Sequence, residues 1–154
     1  METDLVDYTV ALCTLGIYCE TIDHPSFSAI KDIIDYLHIT LSETLPTLVL
    51  KADDSYLVVL IRGDCKIDFK KIKEKFNIKE LRMATPDEFK QLTGLPLGAA
   101  RVYIPKADKT IIDKKVFEKE YLFGGSGNFT CTVKYRTSDL TNLPKSVVDS
   151  ITKD

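Results

Sequence analysis

The stretch of greatest chemical interest is G-L-P-L-G-A-A-R, residues 94–101, because most of its side chains are small. Glycine followed by two alanines lets a ligand approach backbone N–H groups closely, so Gly98, Ala99 and Ala100 are candidate ligand contacts. The stretch lacks the Gly-Lys-Ser/Thr ending of a P-loop, and no strand leads directly into it as in a dinucleotide fingerprint. A helix C-cap at Gly94 and a plain turn explain the same residues, so both interpretations stay open.

The side chains that could act as nucleophiles, proton carriers or metal ligands form no complete set. His24 could transfer a proton, but a lone histidine before a proline is more often a turn residue. No Ser-His-Asp or Cys-His combination is recognisable, and no cysteine pair has C-x-x-C spacing. We therefore expect no metal and no cofactor, and we expect reduced, partly buried thiols at Cys13, Cys19, Cys65 and Cys131.

A lysine-rich segment offers two interpretations. Its cations could follow a phosphate backbone. Phe69, Ile72 and Phe76 recur at helical spacing within it, which places the lysines on the opposite face by default. The pattern therefore favours a solvated face over a binding patch for Arg62, Lys66, Lys70, Lys71, Lys73 and Lys75.

Length and charge limit the remaining classes. A chain of 154 residues predicts one domain spanning 1–154. The net charge of −2 gives no global attraction to a phosphate backbone, so we expect no DNA partner. Apolar runs are too short to span a membrane, and the acidic N-terminus does not resemble a signal peptide. A cytoplasmic location is the resulting expectation.

The elements that position these residues follow from hydrophobic periodicity. Residues 47–52 and 56–62 are rich in β-formers on both faces and flank a turn, which predicts a central hairpin. Thr85, Pro86 and Gly94 mark the cap, first turn and end of a helix. Mixed strands and helices predict an α/β class, with a mixed, largely antiparallel sheet and surrounding helices.

Three further helices are predicted. The first is capped by Thr3, with Leu5, Val6, Val10 and Cys13 inward. The second begins at Ser26 or Ser28, with an apolar stripe at Ile30, Ile33, Ile34 and Leu37. The last runs from Ser138 or Asp139 to about residue 152.

The order of the segments resembles a known family. The segments H-P-S-F-S-A-I-K-D-I, T-L-V-L-K-A-D-D-S-Y-L-V-V-L-I-R-G-D, L-R-M-A-T-P-D-E-F-K-Q-L-T-G-L-P-L-G, T-I-I-D and F-G-G occur in that order. Together they resemble the aminoacyl-tRNA editing domain of YbaK-type deacylases and of prolyl-tRNA synthetase, over about residues 16–143. The fold this resemblance implies is the YbaK/prolyl-tRNA synthetase editing-domain-like one.

The resemblance implies a trans-acting hydrolase that cleaves the ester between a small, wrongly attached amino acid and a tRNA 3′ end. Family members use neither a metal nor a covalent nucleophile, and backbone N–H groups of the glycine loop stabilise the oxyanion. By this resemblance Gly98, Ala99 and Ala100 are catalytic. An aminoacyl-tRNA synthetase is a second candidate partner, and the implied substrate contacts are Thr47, Lys51, Gly94, Arg101 and Thr130.

Three positions depart from the family pattern. Pro46 stands where family members usually have a lysine before T-L-x-V. Lys51 lies five positions further on, so we expect it on the opposite strand face. Val102 stands where the family's loop usually ends in a proline. Thr130 stands near the place of an acidic or histidine side chain. Three hypotheses follow. The site is rebuilt around Arg101 or Thr47, the domain retains only binding to tRNA or a synthetase, or the chain is an unrelated small-molecule binder.

Overall fold

The computed structural model describes residues 2–27, 29–96 and 98–154, with the side chains of residues 2 and 3 left aside. The helices are α1 (Glu2–Thr14), α2 (Ile30–Leu37), α3 (Phe69–Lys75) and α4 (Pro86–Thr93). The strands are β1 (Cys19–Asp23), β2 (Thr44–Leu45), β3 (Thr47–Ala52), β4 (Ser55–Leu60), β5 (Leu81–Met83), β6 (Lys109–Asp113), β7 (Tyr121–Gly125), β8 (Cys131–Arg136) and β9 (Ser146–Asp149). Short 3₁₀ helices span Leu41–Glu43, Lys114–Glu118 and Thr137–Asn142.

The strands form two mixed sheets rather than one. The first has the order β1-β8-β7-β2 and the second the order β5-β3-β4-β6-β9. The antiparallel pairs are β1–β8, β7–β8, β3–β4 and β3–β5, whereas β2–β7, β4–β6 and β6–β9 are parallel. The α/β class with mixed pairing is confirmed. Pro46 alone separates β2 from β3, so the chain crosses between the sheets at this residue.

The hairpin β3–β4 occupies the centre of the second sheet, as its apolar composition predicts. Val58 and Leu60 pack into the core shared with the first sheet, whereas Leu57 and Val59 face the core beneath α3. Successive side chains of a strand point to opposite faces, so a strand covered on both sides must be apolar throughout.

The predicted inward face of α1 is correct at Leu5, which packs against the core, but wrong at the other three positions. Val6 and Val10 are 57% and 58% exposed, and Cys13 is also exposed, whereas Tyr8 and Leu12 are buried. The larger side chains bury more apolar area, and this sets the rotation of the helix. Thr3 lies inside the helix rather than at its cap, since α1 begins at Glu2.

The apolar stripe of α2 does not enter the core. The helix contains no fully buried residue, and Ile30 and Ile33 instead line a cleft. Ala29 occupies the N-cap position, so Ser26 does not start the helix, and Ser28 lies outside the described residues.

The predicted C-terminal helix is also wrong. The chain forms the 3₁₀ turn Thr137–Asn142 and then β9, which pairs in parallel with β6. Pro144 lacks an N–H and disfavours helical backbone before it, and the β-branched pair Val147–Val148 suits the sheet edge.

Helix α4 has the predicted cap and a further set of contacts. The Thr85 hydroxyl accepts from the Glu88 amide, and the Glu88 carboxylate accepts from the Thr85 amide at 2.8 Å. Arg82 donates to both oxygens of that carboxylate at 2.7 and 3.1 Å, and the Tyr56 hydroxyl donates at 2.9 Å. The pKa of Glu88 is held well below its usual range, chiefly by Arg82 and then by the Thr85 amide. The start of α4 is thereby tied to β4 and β5.

We expect Glu88→Gln to lower the melting temperature at pH 7. A carboxylate with a depressed pKa stabilises the fold above its unfolded pKa of about 4.3, and this contribution is lost as the pH falls. The gap between wild type and variant should therefore shrink between about pH 5 and pH 2, measured by thermal unfolding. The exposed Glu74→Gln change is the control, and a gap independent of pH would contradict this role.

Candidate active site

A cleft of about 350 Å³ opens where the β2–β3 crossing meets the bend after α4 and the end of β7. Its floor is residues 44–49, one wall is residues 98–100, and a second wall is residues 123–126. This volume falls in the usual range for small-ligand sites. Val102, which could have filled such a cleft, is fully buried in the core and does not line it.

The floor contains an unpaired polar atom. Thr47 lines the cleft, and its Oγ1 is buried without a hydrogen-bond partner among the residues that the structure describes. An unsatisfied buried hydroxyl costs about 1–3 kcal/mol, so a ligand atom or water that reaches it is favoured. Pro46, in the same floor, offers neither charge nor N–H.

The bend 98–100 is built by backbone geometry. Gly94 ends α4 at φ 73°, and Gly98 has φ 93°, a left-handed region that disfavours residues with a Cβ. The Ala99 amide donates to the Pro96 carbonyl at 3.1 Å, which closes the turn. The Ala100 amide has no hydrogen-bond acceptor within the described residues.

Two glycines of β7 allow the bend and the floor to approach. A Cβ on Gly125 would lie 1.9 Å from the Ala100 carbonyl oxygen, and one on Gly124 would lie 3.0 Å from the Leu45 carbonyl oxygen. Neither glycine of the pair has positive φ, whereas the nearby Gly127 has φ 85°. Close packing, not turn geometry, requires glycine at 124 and 125.

His24 forms part of another wall, and both of its ring nitrogens are engaged. Nδ1 lies 2.8 Å from the Pro25 carbonyl, which can only accept, so Nδ1 carries a proton. In the neutral ring Nε2 therefore accepts from the Thr132 hydroxyl at 2.8 Å. The ring also stacks on Phe27, with centroids 5.1 Å apart. These contacts are those of a fixed structural ring rather than a free proton carrier.

The remaining nucleophilic groups of the lining are not activated. Cys131 is buried, and burial raises the pKa of its thiol, so little reactive thiolate exists at neutral pH. Ser126 donates its hydroxyl proton to the Cys131 carbonyl at 2.6 Å. Side-chain chemistry in this cleft would thus lack a prepared nucleophile.

The structure brings four of the eight sequence-predicted site residues together. Thr47, Gly98, Ala99 and Ala100 line the cleft. The other four lie outside its described lining, and no lysine, arginine, aspartate or glutamate is found in that lining. The sequence reasoning did not identify His24, Gly125 and Thr132 as cleft residues; the G-G pair was the one available signal.

Each of the four outlying residues has a different local role. Arg101 donates through Nε to the Ser126 carbonyl at 2.7 Å and pairs with Asp4. Lys51 lies on the same strand face as Thr47 but four residues further along, with Nζ 4.5 Å from the Tyr56 ring centroid. Gly94 caps α4, and the exposed Thr130 hydroxyl donates to Asn128 Oδ1 at 2.8 Å.

The family model for the aminoacyl-tRNA editing domain matches residues 24–143, which include the floor, the bend and the glycine pair. The chain belongs to the aminoacyl-tRNA editing domain family. Helix α1 lies outside the matched region.

Relatives of this editing domain include proline–tRNA ligases. Identity is 30% over 107 residues with the ligase of Staphylococcus aureus strain Newman, covering 70% of this chain and 19% of the ligase. Identity is 32% over 80 residues with the proline–tRNA ligase of Geobacillus sp. strain WCH70, covering 52% of this chain and 14% of the ligase. The chain thus spans less than a fifth of the length of these curated relatives.

Solved structures share the fold of the editing domain. A hypothetical protein superposes with a TM-score of 0.87 at 19% identity, covering 95% of this chain and 99% of its own. A candidate trans-editing enzyme for prolyl tRNA synthetase superposes with a TM-score of 0.83 at 18% identity, covering 98% of both chains.

The described residues include neither a metal-binding cluster nor a membrane-spanning helix. No group of three or more His, Cys, Asp and Glu side chains is arranged to hold a metal ion. No helix in the described ranges is both long and apolar enough to cross a membrane.

We expect Thr47→Val to raise the free energy of unfolding by about 1 kcal/mol, because it removes a buried hydroxyl without a partner at nearly constant shape. Chemical denaturation measures this change, with Thr47→Ser as the variant that keeps the hydroxyl. A loss of stability in Thr47→Val, with Thr47→Ser unchanged, would show that the hydroxyl is satisfied in the free protein.

We expect Gly125→Ala to destabilise the fold by about 1–3 kcal/mol, because the new Cβ overlaps the Ala100 carbonyl and displaces the bend. The matched control is Gly94→Ala, where no atom lies within 4 Å and only the positive φ opposes the change. Crystal structures of both variants should show the bend moved in Gly125→Ala only. An unmoved bend in Gly125→Ala would refute the packing argument.

Proposed function

We propose that this editing domain is a trans-acting aminoacyl-tRNA deacylase, which hydrolyses the ester of a tRNA mischarged with a small amino acid. The observation that carries the proposal is the open cleft walled by the bend 98–100, whose described lining has no charged side chain. The Ala100 amide has no acceptor among the described residues. A synthetase pocket separates amino acids that differ by one methylene or hydroxyl by only about 1–3 kcal/mol, so a second hydrolytic site is needed.

The chemistry assigned to the cleft is direct attack by water. Its oxygen bonds to the ester carbonyl carbon, and the carbonyl oxygen becomes an oxyanion. The bond to the ribose oxygen then breaks, and a proton from the water passes to that leaving oxygen. The Ala99 amide is already used by the turn, so Gly98 and Ala100 are the donors we assign to the oxyanion.

Substrate size follows from the cleft walls. The bend approaches β7 so closely that glycine is needed at 125, and the floor beside Pro46 has no cation to hold an acidic side chain. We therefore assign a small, uncharged acyl group, such as alanine, cysteine or serine. Phe27 and the 44% exposed Ile30 line the cleft, and we assign entry of the tRNA 3′ end to this side.

A second function is favoured by the same floor. Pro46 removes the cation expected before β3, and the described lining contains no replacement. A catalytically inactive editing domain would need no cation at this position. It would hold a tRNA 3′ end or dock on a synthetase without turnover. Affinity for tRNA without hydrolysis would identify this alternative.

We expect the purified protein to release amino acid from at least one of alanyl-, cysteinyl- and seryl-tRNA in a mischarged panel. Gly98→Val should reduce the rate by about 100-fold, because a β-branched residue at φ 93° shifts the amides of the bend. The fold should survive, since positive φ costs such a residue about 1–2 kcal/mol.

The Val10→Ala variant, changed on the exposed face of α1, controls for the handling of the protein. No release from any member of the panel by folded wild-type protein would contradict the deacylase proposal. Equal rates for wild type and Gly98→Val would place the chemistry elsewhere.

A further inference from the structure

Helix α1 contacts the bend through a buried pair of tyrosines. The hydroxyl oxygens of Tyr8 and Tyr135 lie 2.7 Å apart, and the Val102 amide donates to the Tyr8 hydroxyl at 3.2 Å. Tyr135 also lies 2.8 Å from the Gly125 carbonyl oxygen. The backbone of Val102, just after the bend, and that of Gly125, in the second wall of the cleft, are therefore joined through two phenol groups.

The direction of this hydrogen-bond chain follows from its ends. A carbonyl can only accept, so the single proton of Tyr135 is donated to Gly125. Tyr8 must then donate to Tyr135 while accepting from the Val102 amide. Only this direction of donation gives each of the four polar groups in this hydrogen-bond series a partner. Burial raises the pKa of both phenols, so the chain keeps its protons throughout the neutral range.

Arg101 makes a second connection from the bend to α1. Its guanidinium pairs with Asp4, lies 4.5 Å from the centre of the Tyr8 ring and donates to the Ser126 carbonyl. The side chain is only 13% exposed. The arginine that the sequence suggested for substrate contact is thus held by the first helix.

We propose that Tyr8 is a positioning residue. Through it, α1 holds the bend 98–100 and the following residues Arg101 and Val102 in place against β7. The proposal rests on the deacylase function proposed above for its kinetic consequence. It concerns a helix outside the family match, and it assigns to that helix a role in the transition state rather than in substrate binding. Contacts that hold oxyanion donors in place act mainly on kcat.

The test compares Tyr8→Phe, Tyr135→Phe and the double variant with Val10→Ala on the exposed face of the same helix. Tyr8→Phe leaves the Val102 amide without its acceptor, so amide hydrogen exchange over 98–102 should rise at least about tenfold, with β3 and β4 unchanged. On the best substrate of the panel, kcat should fall about tenfold with KM within about twofold. The kcat of the double variant should equal that of the single variant with the lower kcat, because the two hydroxyls act as one hydrogen-bonded unit.

Should Tyr8→Phe fold poorly, Asp4→Asn weakens the second connection of α1, the pair with Arg101, and should raise exchange over 98–102 to a smaller extent. Unchanged exchange in this segment overturns the proposal, as does faster exchange with kcat unchanged. Additive losses in the double variant also overturn it. If wild type hydrolyses no substrate, the deacylase proposal fails, whereas the exchange measurement still decides whether α1 positions the bend.

Discussion

Ala100 presents its carbonyl oxygen to Gly125 so closely that a Cβ on the glycine would overlap it. This contact lets the bend after α4 pack against the end of β7, and the cleft exists because these two segments meet above the β2–β3 crossing. Beside this contact, Arg101 donates through Nε to the Ser126 carbonyl at 2.7 Å. The position of the backbone amides therefore depends on this hydrogen bond and on close packing, which tolerates little change in volume.

The surrounding elements hold the bend and the end of β7 in contact. The central hairpin β3–β4 is covered on both faces, and its first residue follows Pro46 directly. The capping box at Thr85 and Glu88 fixes the start of α4, so the bend that follows Gly94 begins from a defined place. The tyrosine pair closes the arrangement from the side of α1. Among the described lining residues no side chain is a prepared nucleophile, so the proposed deacylation depends on oriented dipoles rather than on an ionised side chain.

Features with local causes were predictable from sequence. Helix α4 carries its own cap and stop signals, and the β3–β4 hairpin pairs residues close in sequence, so both were identified correctly. The family resemblance, which the match over residues 24–143 confirms, located the bend 98–100. The buried face of the unmatched helix α1 had to be predicted from periodicity alone, and it was wrong at Val6, Val10 and Cys13.

The side-chain contacts around the bend could not be predicted in this way. Arg101 meets Asp4 across 97 positions and Tyr8 meets Tyr135 across 127, and no local pattern encodes such pairs. The C-terminal segment likewise became β9 because the edge of β6 was available, a tertiary effect that overrides helical spacing.

The most direct test is a crystal structure with a non-hydrolysable aminoacyl-adenosine analogue bound. Oxyanion stabilisation by the bend requires the carbonyl oxygen of the analogue to lie about 3 Å from the amide nitrogens of Gly98 and Ala100, with the acyl side chain in the cleft. An analogue whose carbonyl oxygen is held instead by a lysine or arginine side chain, away from these amides, would contradict the mechanism.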